Sequence, residues 1–491
     1  MKFLLDTNVL IPAEPTSATH IEPGTQVSVE LLHTLEEGAH QVYLHPASLV
    51  ELAKDKNTTR RGLRKILVKK YLTLPSPPAV SSRLTELLGQ AAALSHDAVD
   101  HLLLGAVDGD AVDYLVTEDH GLLRAATRAG LESRVLTPAD AVGVVHRLFP
   151  KVPPPPPAVR RILAHELDEA DEIFQTFRQD YPSFGGWLRK CKLQHRLTWV
   201  IDARGRGLAG VCIVKDEDSC PQGLRGRTLK ICSLKISDDF RGYRFGELLL
   251  KTVFSFVFAN SYGCLYVTVF EKYVDLVRLF EEFGFETLDQ TTELGELVMI
   301  KSLQFSRQSY DSMSPLEFHI RYGPLRAKSE GVQVFVVPIQ PRYHRRLFPE
   351  MQVQGELSPG DEPFGNSIRK AYLCNAAVRR IGQGSILLFY RSGDQRRVQC
   401  TGIVEATLVS RRPEEIARFV GRRTVYSYAE IESLCKRPIL AILFRQATAL
   451  DEPVALAGLI SRRVINGAPR SIVQVRKEGL EWIRGLLSSR P

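Results

Sequence analysis

Residues 228–259 read TLKICSLKISDDFRGYRFGELLLKTVFSFVFA. From Thr228 to Ile236 apolar side chains alternate with Lys and Ser, the two-residue period of a strand. A short polar turn with Gly242 and Gly246 follows, and from Phe245 onward the apolar residues recur at helical spacing. The segment therefore predicts a strand, a tight turn and an amphipathic helix. Working outward, RLTWVIDARGRGLAGVCIVKD (196–216) predicts strands and turns before it. CLYVTVF (264–270) predicts a strand after it, and YVDLVRLFEEFGFE (273–286) a second helix.

The order of these elements is similar to the GNAT acetyltransferase family over residues 160–303. In that family a turn of the form R/Q-x-x-G-x-G/A places backbone N–H groups and a helix N-terminus against the pyrophosphate of coenzyme A. The matching residues are Arg241, Gly242, Tyr243, Arg244, Phe245 and Gly246, with Leu234 and Ile236 on the preceding strand beside the pantetheine arm. The physical basis is general: the first N–H groups of a helix lack intrahelical acceptors, and the helix dipole favours an anion there. Two positions depart from the family pattern. Arg244 stands where glycine is usual, although its charge also suits a phosphate. Phe280 stands where a tyrosine usually protonates the departing thiolate, and phenylalanine has no proton to give. Tyr273, earlier on the same stretch, is the candidate substitute. The remaining alternatives are an unassisted thiolate and a domain that binds acetyl-CoA without transferring the group.

Five consecutive prolines, 153–157, mark one boundary, since such a run forms an extended spacer rather than a helix or central strand. A second seam lies at 304–330, polar and punctuated by Pro315 and Pro324. Charge divides along the same lines. Residues 1–150 carry 14 basic and 18 acidic side chains, residues 151–305 carry 21 of each, and residues 306–491 carry 29 against 17. The whole positive excess lies in the last third, which suggests a docking surface for a polyanion.

At the N-terminus a strand-like run, Lys2 to Leu5, ends at Asp6-Thr7-Asn8. Glu51 lies in the helical HPASLVELAKD, Asp100 opens the apolar run DHLLLGAV, and Tyr114–Thr117 predicts a strand ending in Glu118-Asp119. This ordered set of acids resembles the PIN domain family over residues 1–145. The resemblance implies a parallel sheet flanked by helices and a metal-dependent ribonuclease. Asp6, Glu51, Asp100 and Asp119 would hold Mg2+ or Mn2+, with Thr7, Asn8 and Thr117 in support and Asp97 as the competitor to Asp100. Hard divalent cations take oxygen ligands, activate water and neutralise charge on a phosphate.

In the last third, VQVFVVPI, GSILLFYRSG, VQCTGIVEATLVS and PILAILFRQA predict strands, and VRKEGLEWIRGLL a closing helix. The run IGQGSILLFYRSGDQRRVQCTGIVEA looks like the PUA-like superfamily, with its ASCH and EVE branches, which implies a small β-barrel that recognises RNA. Six Arg-Arg pairs lie in this region, and arginine forks suit phosphates and base faces.

The reading is a multidomain α/β and α+β chain: a PIN-like parallel α/β sheet at 1–148, a proline-rich linker at 149–158, a GNAT α+β fold at 159–304, a linker at 305–330, and a basic PUA-like β-barrel at 331–491. Its 44% hydrophobic and 24% charged residues exclude a disordered chain. No run is long enough to span a bilayer, and the apolar start breaks at Asp6 without a basic leader. The eight cysteines lack C-x-x-C spacing and are expected to be reduced and mostly buried, so the chain is expected in the cytoplasm. The expected activity joins ribonuclease and N-acetyltransferase chemistry, with acetyl-CoA and RNA, tRNA included, as partners, and a protein acceptor or second copy left open. The alternatives are an acetyl-CoA sensor, a non-catalytic scaffold and a DNA-directed nuclease.

Overall fold

The computed structural model describes residues 1–13, 24–92, 95–149, 159–203, 207–223, 226–240, 243–351 and 367–488. They carry three sheets. The first comprises β1 (Lys2–Leu5), β2 (Gln41–Leu44), β3 (Leu72–Thr73), β4 (Tyr114–Val116) and β5 (Val135–Leu136), in the order β3-β2-β1-β4-β5. Every pair is parallel. Parallel neighbours require crossovers, and helices dominate the connections: α1 (Thr7–Ala13), α2 (Thr25–Glu37), α3 (Pro46–Leu52), α4 (Thr58–Leu67), α5 (Ser82–Leu88), α6 (His96–Asp108), α7 (His120–Arg128) and α8 (Pro138–Leu148). Ser95, Asp119 and Thr137 start α6, α7 and α8 by accepting backbone N–H bonds. Central β1 is covered on both faces, with Phe3, Leu4 and Leu5 fully buried. The chain runs outward from β1 to β2 and β3, then crosses to β4 on the other side. Such a switch point opens a crevice at the carboxyl ends of the strands.

The second sheet comprises β6 (Val159–Leu163), β7 (Leu197–Asp202), β8 (Leu208–Glu217), β9 (Thr228–Ile236), β10 (Cys264–Val269), β11 (Glu286–Thr291) and β12 (Leu297–Ser302), in the order β11-β12-β10-β9-β8-β7-β6. All pairs are antiparallel except β9 with β10. Its helices are α9 (Gln175–Asp180), α10 (Phe184–Leu193), α11 (Phe245–Ala259) and α12 (Val274–Glu282). Alternation along the strands sends Trp199, Ile201, Leu229 and Ile231 into one core with Leu249, Val253 and Val257 of α11. The opposite face, with Val200, Val211 and Ile213, packs on Phe184 and Leu188 of α10.

The stretch 305–330, expected as a connection, holds α13 (Arg307–Ser312) and α14 (Pro315–Tyr322). Buried Lys301 on β12 donates to Phe283 O at 2.8 Å beyond α12, and to Ile320 O at 2.8 Å and Arg321 O at 2.7 Å on α14. Gly284 (φ 79°) lets α14 approach, because a Cβ there would lie 2.1 Å from Ile320 O.

The third sheet comprises β13 (Val334–Ile339), β14 (Arg369–Cys374), β15 (Ile386–Arg391), β16 (Arg397–Ser410), β17 (Ile439–Ala455) and β18 (Val473–Gln474), in the order β14-β17-β16-β15-β13-β18. Among the described residues its end strands β14 and β18 are not paired with each other. Helix α15 (Pro341–Leu347) follows β13, α16 (Pro413–Val420) and α17 (Tyr428–Leu434) lie between β16 and β17, and α18 (Leu456–Ser461) and α19 (Lys477–Ser488) close the chain.

Contacts divide the chain into two compact units: Met1–Val152 with Ser410–Pro438, and Pro153–Val409 with Ile439–Pro491. The first unit thus includes α16 and α17. Arg418 of α16 pairs with Asp110 at 2.7 Å, and Tyr114 Oη donates to Ala417 O at 3.4 Å. No helix among the described residues is long and apolar enough to cross a membrane.

Candidate functional sites

At the carboxyl end of the first sheet, Asp6 is 5% exposed. Its Oδ1 accepts from Thr7 N at 2.6 Å, and its Oδ2 from Asn8 Nδ2 at 2.8 Å and Thr117 Oγ1 at 2.7 Å. Burial raises its pKa above the ordinary range, the Thr117 and Thr7 bonds oppose the rise, and Asp119 and Glu51 add to it by repulsion. Asp100 is pushed up to about 7, first by burial and then by Asp6, Asp119, Asp97 and Glu51. The four expected carboxylates therefore feel one another across this crevice.

They do not form a ligand set. Among the described residues no three His, Cys, Asp or Glu side chains are placed to hold a metal ion. The reason is local: Asp6 is committed to Thr7, Asn8 and Thr117, Asp119 Oδ1 caps α7 through Leu122 N at 2.9 Å, and Glu51 Oε1 meets His96 Nδ1 at 2.7 Å. The donor chemistry suits a hard cation, while the described residues hold no group of three such side chains placed for one.

The second sheet holds a different opening. The parallel pair β9/β10 is in register from Thr228 opposite Cys264 to Ile231 opposite Val267. Pairing stops there, although β9 runs on to Ile236 and β10 to Val269. The two strands part into a wedge in mid-sheet, while the other edge of β9 stays paired with β8 as far as Ile236 opposite Gly210. The β8/β9 register skips Cys232 between Ile231 and Ser233, a β-bulge at the point of divergence. Beside it Ser233 Oγ is buried without a hydrogen-bond partner among the described residues. Leu234 and Ile236 thus lie on the wedge edge of β9.

Helix α11 starts just past the wedge. Its first bond runs from Leu248 N to Arg244 O at 3.1 Å, so the N–H groups of Phe245, Gly246 and Glu247 precede the helical ladder. Gly246 permits close packing, since a Cβ there would lie 3.2 Å from Leu279 Cδ2. The Tyr243 and Phe245 rings pack at a tilt of 42° on the core side of the turn, centroids 5.9 Å apart. Arg241 and Gly242 lie outside the described residues. Arg244 has a left-handed backbone, φ 58° and ψ 26°, which accounts for the usual glycine there. Its guanidinium is paired with buried Glu247, so its charge is already neutralised and does not stand ready for a phosphate.

Phe280 is fully buried in the core. Tyr273 is the N-cap of α12, its ring under the Lys272 ammonium at 5.1 Å. Seven residues separate the two, about two helical turns or roughly 10 Å, so Tyr273 does not take the place of Phe280. A pair that sequence patterning missed stands nearer. Tyr181 Oη donates to Glu296 Oε1 at 3.0 Å, and the Tyr181 ring lies 5.2 Å from Phe270, the residue after β10. Because Leu297 pairs with Val269, Glu296 sits at the open end of the wedge. It is 9% exposed, and its Oε2 accepts from Thr292 Oγ1 at 3.2 Å. Neither residue lies in a motif; the only sequence signal was a carboxylate opening a strand.

No curated protein sequence matches the chain. Among solved structures it is similar to an ASCH protein from Zymomonas mobilis, at 14% identity over 31% of this chain and 94% of that one, TM-score 0.25. It is also similar to an acetyltransferase of the GNAT family from Staphylococcus aureus, at 13% identity over 30% and 100%, TM-score 0.24. A third similar structure is a point mutant of the AtaT toxin bound to the C-terminus of the antitoxin AtaR, at 13% identity over 29% and 92%, TM-score 0.22. Residues 160–285, which span β6 to the end of α12, match the model of the acetyltransferase (GNAT) family, and the chain therefore carries a GNAT acetyltransferase domain.

Proposed function

We propose that the chain is an acetyl-CoA-dependent N-acetyltransferase whose acyl donor lies in the β9/β10 wedge. The observation that carries this reading is the parting of β9 from β10 beside the unladdered N–H groups of α11. Strand edge and helix start together offer backbone donors along an extended, amide-bearing, anion-ended ligand. Acetyl-CoA supplies the thioester. An amine at the open end attacks its carbonyl carbon, the C–N bond forms, the C–S bond breaks, and Glu296 takes the proton from the amine. Tyr181 and Thr292 hold that carboxylate in place. The thiolate acquires its proton from solvent. The acceptor is an amine on RNA or on a bound protein, drawn by the basic residues of the last third. The test is release of the coenzyme A thiol, followed with a disulfide reporter, against amines, total tRNA and basic peptides. Acceptor-dependent release supports the proposal, and binding without release under every acceptor leaves an acetyl-CoA sensor instead.

A second reading rests on one separate observation. Four carboxylates face one crevice at the carboxyl end of a parallel sheet, where burial first and then Asp6, Asp119, Asp97 and Glu51 push Asp100 up to about 7. Residues 58–70, directly after α3 and its Glu51, carry six Lys or Arg and no acid. We infer a polyanion-directed first unit, a PIN-type ribonuclease in the fullest form of this reading, with DNA as the alternative target. Because the carboxylates are not placed to share a cation, no hydrolytic step is derived. Titration with Mn2+, read by calorimetry in native and Asp6→Asn chains, decides it: uptake lost with Asp6→Asn supports the reading, and no uptake removes it.

A further inference from the structure

We propose that Arg369, contributed by the third sheet, is a positioning residue for the acyl-CoA site of the second. The inference rests on the reading of the wedge as that site. Arg369 opens β14, and the preceding Ile368 is buried in the core that packs under α11. Its backbone N–H donates to Glu247 Oε1 at 3.2 Å, while the other oxygen of Glu247 holds the guanidinium of left-handed Arg244. The Arg369 guanidinium in turn binds Glu282 Oε2 on α12 at 2.7 Å and Glu405 Oε1 on β16 at 2.9 Å. Arg445 on β17 reaches the same Glu405 oxygen at 2.6 Å.

Three arginines and three glutamates thus form one chain of contacts from the start of α11 into the third sheet. Every member is at most partly exposed, and Glu247 is 2% exposed. Arg278 on α12 adds a longer contact to Glu282 at 3.9 Å. Glu247 is the member that matters to a ligand, because it lies in the first turn of α11, among the N–H groups that would meet a pyrophosphate. A carboxylate there repels an anion unless cations hold it. Arg244 cancels it from one side, and it can do so only in a backbone conformation that an L-residue adopts under constraint. Arg369 meets Glu247 through its backbone N–H while its guanidinium sits on Glu282 and Glu405, its charged form opposed by burial and favoured by Glu405, Glu282 and Glu247. Removal of the Arg369 charge leaves Glu282 and Glu405 short of a buried cation and makes the field at the neighbouring anion site more negative. The third sheet therefore completes the acyl-donor site rather than only adding a substrate-binding surface.

The test compares two ligands on the full-length chain: coenzyme A, and pantetheine, which shares the arm but lacks the pyrophosphate. Arg369→Met is expected to weaken coenzyme A at least about tenfold and leave pantetheine unchanged, with native near-ultraviolet circular dichroism. Arg369→Lys, which keeps the charge in a less disruptive side chain, is expected to recover most of the coenzyme A affinity and serves if the Met variant fails to fold. Equal loss for both ligands, or no loss for either, overturns the inference. Wild-type chain that binds neither ligand overturns the reading of the wedge as well, whereas wild-type binding with an unchanged Arg369→Met variant overturns the inference alone.

Discussion

Glu296 and Tyr181 carry the proposed chemistry at the residue scale. If Glu296 accepts the amine proton, Glu296→Gln should lower the rate of transfer about 100-fold or more with little change in KM for acetyl-CoA. Tyr181→Phe, which removes one donor to Glu296 at 3.0 Å, should lower it less. A fall in affinity with unchanged turnover would mean that these groups bind rather than react. Buried His319 gives a stability prediction of definite sign. Burial lowers its pKa to about 3, against an ordinary 6.5. Below pH 6.5 the unfolded chain therefore takes up a proton that the folded chain refuses, so stability is lost as pH falls toward 3, by up to about 1.4 kcal/mol per unit. His319→Asn should flatten that loss, as read from urea midpoints between pH 7 and 4; an unchanged slope contradicts it. Arg244 shows what one residue conceals. Its departure from the glycine pattern was visible in the sequence, but its backbone angle and its pairing with Glu247 depend on tertiary neighbours.

The elements of the second sheet were the most legible. Alternation in 228–236 and helical spacing from Phe245 gave β9 and α11 directly, because each element buries one well-defined face. The wedge was not legible, since a strand that loses its neighbour keeps the same sequence pattern as one that does not. The polar stretch 304–330 suggested a connection because its helices are short, while Lys301 fastens α14 to β12 through two of its carbonyls and holds Phe283 O with the same ammonium. Lys301→Met should leave those acceptors without a donor and cost about 3 kcal/mol or more. Tryptophan fluorescence suits the measurement, since Trp187, Trp199 and Trp482 all lie in the second unit. An unshifted unfolding midpoint would show that the carbonyls find other partners.

For the whole molecule, the sequence placed all the positive excess in the last third, yet part of it belongs to the first unit. Residues 410–438 carry seven basic and four acidic side chains and pack with an N-terminal segment that is net acidic. Nothing in their periodicity marks this excursion, because α16 and α17 look like helices of whichever domain surrounds them. Arg418 joins Asp110 at 2.7 Å and Asp113 at 3.6 Å. Arg418→Ala should cost the first unit about 1 kcal/mol, a value reduced by the exposure of Asp110. Amide exchange in Pro413–Val420 should quicken while the tryptophan transition stays fixed; a shift of that transition instead would refute the assignment of the segment to the first unit.

The wedge itself is tested most directly by amide hydrogen exchange with and without acetyl-CoA. Protection concentrated in 232–236 and 243–248 is the expected result. Saturating acetyl-CoA that protects neither segment, or protects only the first or third sheet, would contradict the account.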